Sequence, residues 1–270
     1  MLSSHKITVL ITVLLLVISS RTFSQSEVLF TGEELYYEVN YSFINIGWAK
    51  FTTEKVPDKE NFFICKAKLK SNNSMPIVDI DYDFISEIEL KDKNIITHRF
   101  TAYEYKDGNK STLICDFNYD SAFVILKKTG YDNNIEIDKK IITSTWFQDG
   151  LSIFYYARDF VNFAKRHQGE VNVNIDIPVL MHTDTSRMSI KVHTKKTDVS
   201  ISEVDYDIAS VYLEGISYFT AVFGLTGEFS GWFSDDVARI PLKAKLQVEI
   251  GSITLELKSW KHGSWQPPKF

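Results

Sequence analysis

The chain has 270 residues, an aromatic share of 14 % and a formal net charge of −5, enough length for a sizeable core and no surplus of positive charge. An acidic chain without a basic cluster lacks the surface that phosphate backbones require, so nucleic acid is not expected as a partner. No nucleophile elbow, phosphate loop, dinucleotide fingerprint or ligand-spaced group of histidines and cysteines occurs, so no catalytic residue, metal or cofactor is read from it.

The first element is a leader. Lys6 precedes an apolar run ending near Ile18, and "RTFSQ" follows. That is the charged start, apolar core and small-residue cleavage pattern of a secretory signal peptide, with Thr22 and Ser24 before a cut at Gln25. Its apolar core is short against the roughly 20 residues that span a bilayer. The expected organisation is a signal peptide over residues 1–24 and a single β-rich domain over residues 25–270. Removing the leader takes away Lys6 and Arg21 and no acid, which leaves the exported chain more acidic still. The expected location is the periplasm or the cell exterior, at most peripheral on the envelope, with no transmembrane span after cleavage.

Period-2 alternation then dominates. "ELYYEVNYSF" places Leu35, Tyr37 and Val39 on one face and Tyr36, Glu38 and Asn40 on the other. "NIG" interrupts before "WAKFTTEKV", and Gly47 between them predicts a bulge or a close backbone approach. "FFICKAKL" follows, then a hairpin around Asp107-Gly108, then "SAFVILKKTG". Cys65 and Cys115 each lie in such a run, so a disulfide and two buried free thiols are both open. One segment breaks the period: Phe147, Leu151, Phe154, Tyr155 and Val161 form the stripe of a packed helix over about Trp146–Lys165. Thr145 with Gln148 predicts its cap, and Gly169 its stop. Further alternating runs continue from "VNVNIDIPV" to "SITLELKSW", giving ten to thirteen strands in all.

Two groups invite a functional reading. In "GWFSDDVARIP", Asp235 and Asp236 precede Arg239. Adjacent residues of a strand point to opposite faces, and Ser-Asp-Asp is favourable turn chemistry, so a structural turn closed by a salt bridge from Arg239 to Asp236 is expected. "MHTDTSR" carries His182 and Asp184, with His193 further on, and reads as a solvated hairpin without metal-specifying spacing. The aromatics offer more. Tyr37 and Trp48 on the first strands, with Phe147, Leu151, Phe154 and Tyr155 on the helix, are candidate walls of a pocket for a greasy or amphipathic ligand. Ordinary core filling explains the same residues.

"FTGEELYYEVNYSFINIGWAKF", "DFISEIELKDKNIITHRFTAYEY", "GLSIFYYAR" and "GWFSDDVARIPLKAKLQVEIGSITLELKSW" together resemble the bacterial exported family catalogued as domain of unknown function 3108. The most specific matches are Trp232, Ser234, Asp235, Asp236, Arg239, Ile240, Pro241 and Gly251, with Gly32, Glu33 and Gly47 near the start. The resemblance implies an envelope location and a curved antiparallel sheet, and it supplies no reaction. The fold expected is mainly β, a half-barrel or barrel-like antiparallel sheet with one substantial helix packed on or in it. The functional expectation is a non-catalytic envelope carrier of a lipid or acyl chain. Its alternatives are an envelope enzyme of hydrolase type using Asp235, Asp236 and Arg239, and a docking module that binds an envelope protein through a sheet edge.

Overall fold

The computed structural model describes residues 28–72, 79–167, 172–221, 226–248 and 251–270. The expected leader, its cleavage site and Gly169 lie outside these residues. The remainder forms one antiparallel sheet of 14 strands with one helix. In chain order the strands are β1 (Glu33–Tyr41), β2 (Ile44–Lys55), β3 (Phe62–Ser71), β4 (Asp81–Lys91), β5 (Asn94–Lys106), β6 (Asn109–Asn118), β7 (Phe123–Thr129) and β8 (Ile135–Ile142). The helix α1 (Ser152–His167) follows, then β9 (Val173–Met181), β10 (Asp184–Val199), β11 (Ile208–Ser217), β12 (Gly227–Ser234), β13 (Pro241–Gln247) and β14 (Ser252–Lys261).

The topology is a meander read in two directions. Strands β8 to β1 run in sequence, β1 pairs with β14, and β14 to β9 complete the sheet. The chain's two halves are therefore joined by the pairing of its first and last strands, for example Val39 with Leu255. The edges are β8 and β9, and α1 is the connection between them. The sheet contains a strand that alternation did not reveal: β8, with four charged residues in eight, is exposed along most of its length and has no buried face to imprint a pattern.

Alternation fixes which face is covered. Glu33, Leu35, Tyr37 and Val39 of β1 are buried, while Glu34, Tyr36 and Glu38 face outward. Across β2 to β6 the register stacks the covered face into rows. Thr53, Cys65, Ser86, Phe100 and Cys115 form one, Phe51, Ala67, Phe84, Ala102 and Leu113 the next, and Ala49, Leu69, Tyr82, Glu104 and Ser111 the third. Gly47 lies within β2 rather than between strands. The turn falls instead at Ser42 and Phe43, with Ser42 at φ 55°. Gly47 shows both expected features: the β1–β2 register shifts beside it, and a Cβ there would collide with the carbonyl oxygen of Lys70. Asp107 and Gly108 both take positive φ, the conformation that a two-residue hairpin turn demands.

The helix starts later than its apolar stripe predicted. Asp149, not Thr145, caps it: one Asp149 carboxylate oxygen accepts the Leu151 and Ser152 N–H groups at 2.7 and 2.9 Å, and the Ser152 hydroxyl accepts the Asp149 N–H. Phe147 and Gln148 remain extended. Gln148 makes a parallel bridge to Val179 of β9 and donates its side-chain amide to the Ile95 carbonyl. The apolar stripe was real, but its first two residues precede the helix: Leu151 lies in the turn before it, and Phe147 adjoins Gln148, which bridges the edge strand β9.

Candidate functional site

The helix is pinned at three places. At its start, the Asp149 carboxylate also accepts hydroxyls from Ser86 and Thr97 at 2.7 and 2.8 Å, so β4 and β5 hold the cap. In its first turn, the hydroxyls of Tyr155 and Thr53 lie 3.0 Å apart, and Phe154 stacks on Phe51 with ring centroids 4.3 Å apart. One turn on, Arg158 forms a bidentate pair with Glu33 at 2.7 and 2.9 Å, and both side chains are essentially without solvent exposure. Arg158 also donates to the Ala238 carbonyl, and His262 lies 2.8 Å from the second Glu33 oxygen. Burial by itself raises the Glu33 pKa. The Arg158 charge and the His262 and Arg158 hydrogen bonds outweigh it and hold the carboxyl below its ordinary value.

The Ser234–Ile240 turn completes the attachment. Asp236 Oδ1 accepts the Ser234 hydroxyl and the N–H groups of Ala238 and Arg239, and its Oδ2 accepts the Trp265 indole N–H at 2.6 Å. Arg239 pairs with Asp235 at 2.8 Å rather than with Asp236, and its Nε donates to Asn162 of α1 at 2.9 Å. Lys165 lies 3.3 Å from Asp235. The salt bridge across the turn is thus present with its acidic partner shifted by one residue, because Asp236 is turned inward to bind backbone. Both carboxylates are engaged by protein groups, and what they do chemically is to bind the turn to α1 and to the C-terminal segment. Trp232 sits on the outward face at 5.2 Å from Tyr212, and the Pro241 carbonyl accepts the Tyr37 hydroxyl at 2.9 Å. Gly32, at φ 83°, opens β1 just ahead of Glu33.

Beside the first half of α1 the covered face is not filled. Two adjoining cavities of about 280 and 420 Å³ share the walls Phe51, Gly150, Ala221 and Leu255. The smaller is bounded by Tyr37, Phe154, Phe229 and Phe233, the larger by Phe84, Phe100, Leu113 and Leu151. Space exists because inward positions carry small residues. Ala49, Ala67 and Ala102 lie in the rows described above, and Gly231 faces Ala244 on the other half of the sheet. Of the six wall residues read from sequence, Tyr37, Leu151 and Phe154 line these cavities. Tyr155 and Phe147 are buried in the core instead, Tyr155 with no exposure. Trp48 lies on the opposite face, where it pairs with Glu38 and stacks on Tyr36, because its neighbours Gly47 and Ala49 point inward. The residues missed are the small ones and Phe51 and Phe229, whose only sequence signal was an Ala or Gly at the inward phase of a strand.

The two cysteines lie away from the cavities and are muted. Cys65 and Cys115 are free and buried, separated by β4 and β5. Three strand spacings are about 14 Å, well beyond disulfide reach. Burial raises both thiol pKa values, that of Cys115 to about 12, with Asp149 adding to it. Among the described residues no group of three His, Cys, Asp or Glu side chains is placed to hold a metal ion, and no helix is long and apolar enough to cross a membrane.

The sequence profile of a family described as protein of unknown function (DUF3108) matches residues 36–258. The chain belongs to the DUF3108 family. That match spans β2 to β13 whole, with most of β1 and β14, and so includes the Asp235–Arg239 turn, α1 and both cavities. Glu33, the partner of Arg158, falls just ahead of it. Comparison with curated proteins gives no match. Among solved structures, a β-barrel-like protein of domain of unknown function DUF1849 from Brucella abortus is similar, with a TM-score of 0.57 and 8 % identity over 87 % of this chain and 99 % of that one. At that identity the likeness is one of fold alone.

Proposed function

We propose that this DUF3108 member is an exported, non-catalytic carrier that holds a lipid or single acyl chain between α1 and the sheet. The observation that carries the reading is the pair of adjoining cavities, walled mostly by apolar side chains and placed against the helix. Ligand pockets are typically about 300–1,000 Å³ and mostly apolar, and apolar cavities stay dry and accept apolar guests. A half-barrel is supported by reach. The helix has 16 residues, about 24 Å at 1.5 Å per residue. It bonds to β4 and β5 at one end and to β10 at the other. In a flat sheet β5 and β10 would stand about 43 Å apart, so a sheet wrapped around the helix accounts for both contacts. Export to the periplasm or beyond is supported by the leader pattern of residues 1–24.

The enzyme alternative has little to draw on, because the Asp235, Asp236 and Arg239 side chains are bonded to the fold they would have to act from. A docking module is favoured by one feature, the edge strand β8, whose Ile135 and Ile142 are 73 % and 74 % exposed. Native mass spectrometry of protein purified from its own host separates the two. A carrier retains a lipid-sized adduct that organic solvent removes. An empty protein, or an experimental structure with side chains filling the interior, rejects the carrier.

A further inference from the structure

The larger cavity does not stay apolar to its end. One register row beyond Phe84 and Ala102 the same wall carries Tyr82, Glu104 and Ser111, and Lys128 lies at the same rim. The Tyr82 hydroxyl donates to Glu104 at 2.6 Å. Lys128 is held 2.6 Å from Glu136, so its charge is already answered. Among the described residues no cation is paired with Glu104. Burial, and after it the neighbouring Glu104 carboxylate, raises the pKa of both Tyr82 and Tyr131, so these phenols remain neutral donors beside the acid. The rim, which His182 also lines, thus keeps one carboxylate without a cationic partner among the described residues.

We propose that this rim selects the head group of the bound amphiphile: a head that donates hydrogen bonds and carries no negative charge, seated at Glu104 with its chain running inward past Phe84 and Ala102. An ionised fatty acid would bring a second carboxylate to Glu104, a repulsion that water screens poorly at the edge of a low-dielectric cavity. A hydroxylated or ammonium head supplies the donor that the carboxylate accepts. The inference rests on the carrier reading and adds a charge rule to it.

Three amphiphiles with the same twelve-carbon chain test it: monododecanoylglycerol, dodecylammonium and dodecanoate. Each competes with the neutral fluorophore N-phenyl-1-naphthylamine at pH 8, low salt and below micelle formation. The glycerol ester and the ammonium are expected to displace the probe at concentrations at least about 10-fold lower than dodecanoate, a difference of about 1.4 kcal/mol. Glu104→Gln is expected to narrow that gap to about threefold or less, improving dodecanoate and weakening dodecylammonium, and about 1 M salt to narrow it in the wild type. Equal displacement by all three, tighter binding of dodecanoate, or a gap that survives Glu104→Gln overturns the charge rule and leaves the carrier reading standing. Failure of the probe and of all three to bind overturns the carrier reading itself.

Discussion

Arg158→Met removes the guanidinium from a fully buried ion pair while keeping a stem of similar length between Phe154 and Tyr155. The Glu33 carboxylate would lose two bonds of 2.7 and 2.9 Å and keep only His262, and the Ala238 carbonyl would lose a charged donor. Stranding one member of a buried pair typically costs about 3–5 kcal/mol, whereas replacing both members by apolar residues is often close to neutral. Glu33→Met should therefore destabilise by a similar amount, about 3–5 kcal/mol, and the double variant Glu33→Met/Arg158→Met by less than either single one. Urea unfolding followed by tryptophan fluorescence, with linear extrapolation and unchanged slope, reads these differences. A single-variant loss under about 1 kcal/mol, or a double variant whose loss equals the sum of the two, would refute the claim that this pair pins the helix.

Acid should unfasten the same point: the Glu33 pKa is lower in the folded state, so its contribution is complete above the ordinary glutamate range near pH 4.5 and is lost as pH falls through the lowered value. Unfolding free energy followed from pH 6 to pH 3 should fall for the wild type and fall less steeply for Glu33→Met/Arg158→Met. Thiol titration in denaturant without reductant should count two free thiols, and the native protein should react slowly with thiol reagents because both groups are buried with raised pKa values. Asp236→Ala should cost about 2 kcal/mol by releasing two backbone N–H groups and the Trp265 indole, with divalent metals leaving the melting temperature of the wild type unchanged.

The sheet was legible because one face of it is covered: β1 alternates cleanly since Leu35, Tyr37 and Val39 are buried and their neighbours are not. β8 escaped because an exposed edge strand has no such contrast to show. Asp235, Asp236 and Arg239 sit in a turn, where adjacent acids ahead of a proline suit backbone capping. Their attachment to Asn162 and Trp265, 77 and 29 residues away from their partners, has no local signature. The Glu33–Arg158 pair was hidden for the same reason, as 125 residues separate its members. Cavity walls are harder still. Large apolar side chains drew attention to Tyr37, Leu151 and Phe154, but space is made by what a strand omits, and Ala102 or Gly231 looks unremarkable until the register sets it against the helix.

A carrier needs its cavities open to a ligand, and N-phenyl-1-naphthylamine titration of the wild type against Ala102→Phe/Ala244→Phe tests this most directly. Both alanines line the cavities, one in each, so the two added rings fill space without touching the Glu33–Arg158 pair or the Asp236 turn. The wild type is expected to bind the probe in the low micromolar range, near −8 kcal/mol, and the filled variant at least about 10-fold more weakly with its folding intact. Absence of probe binding to the wild type, or equal binding by a folded filled variant, would contradict the account.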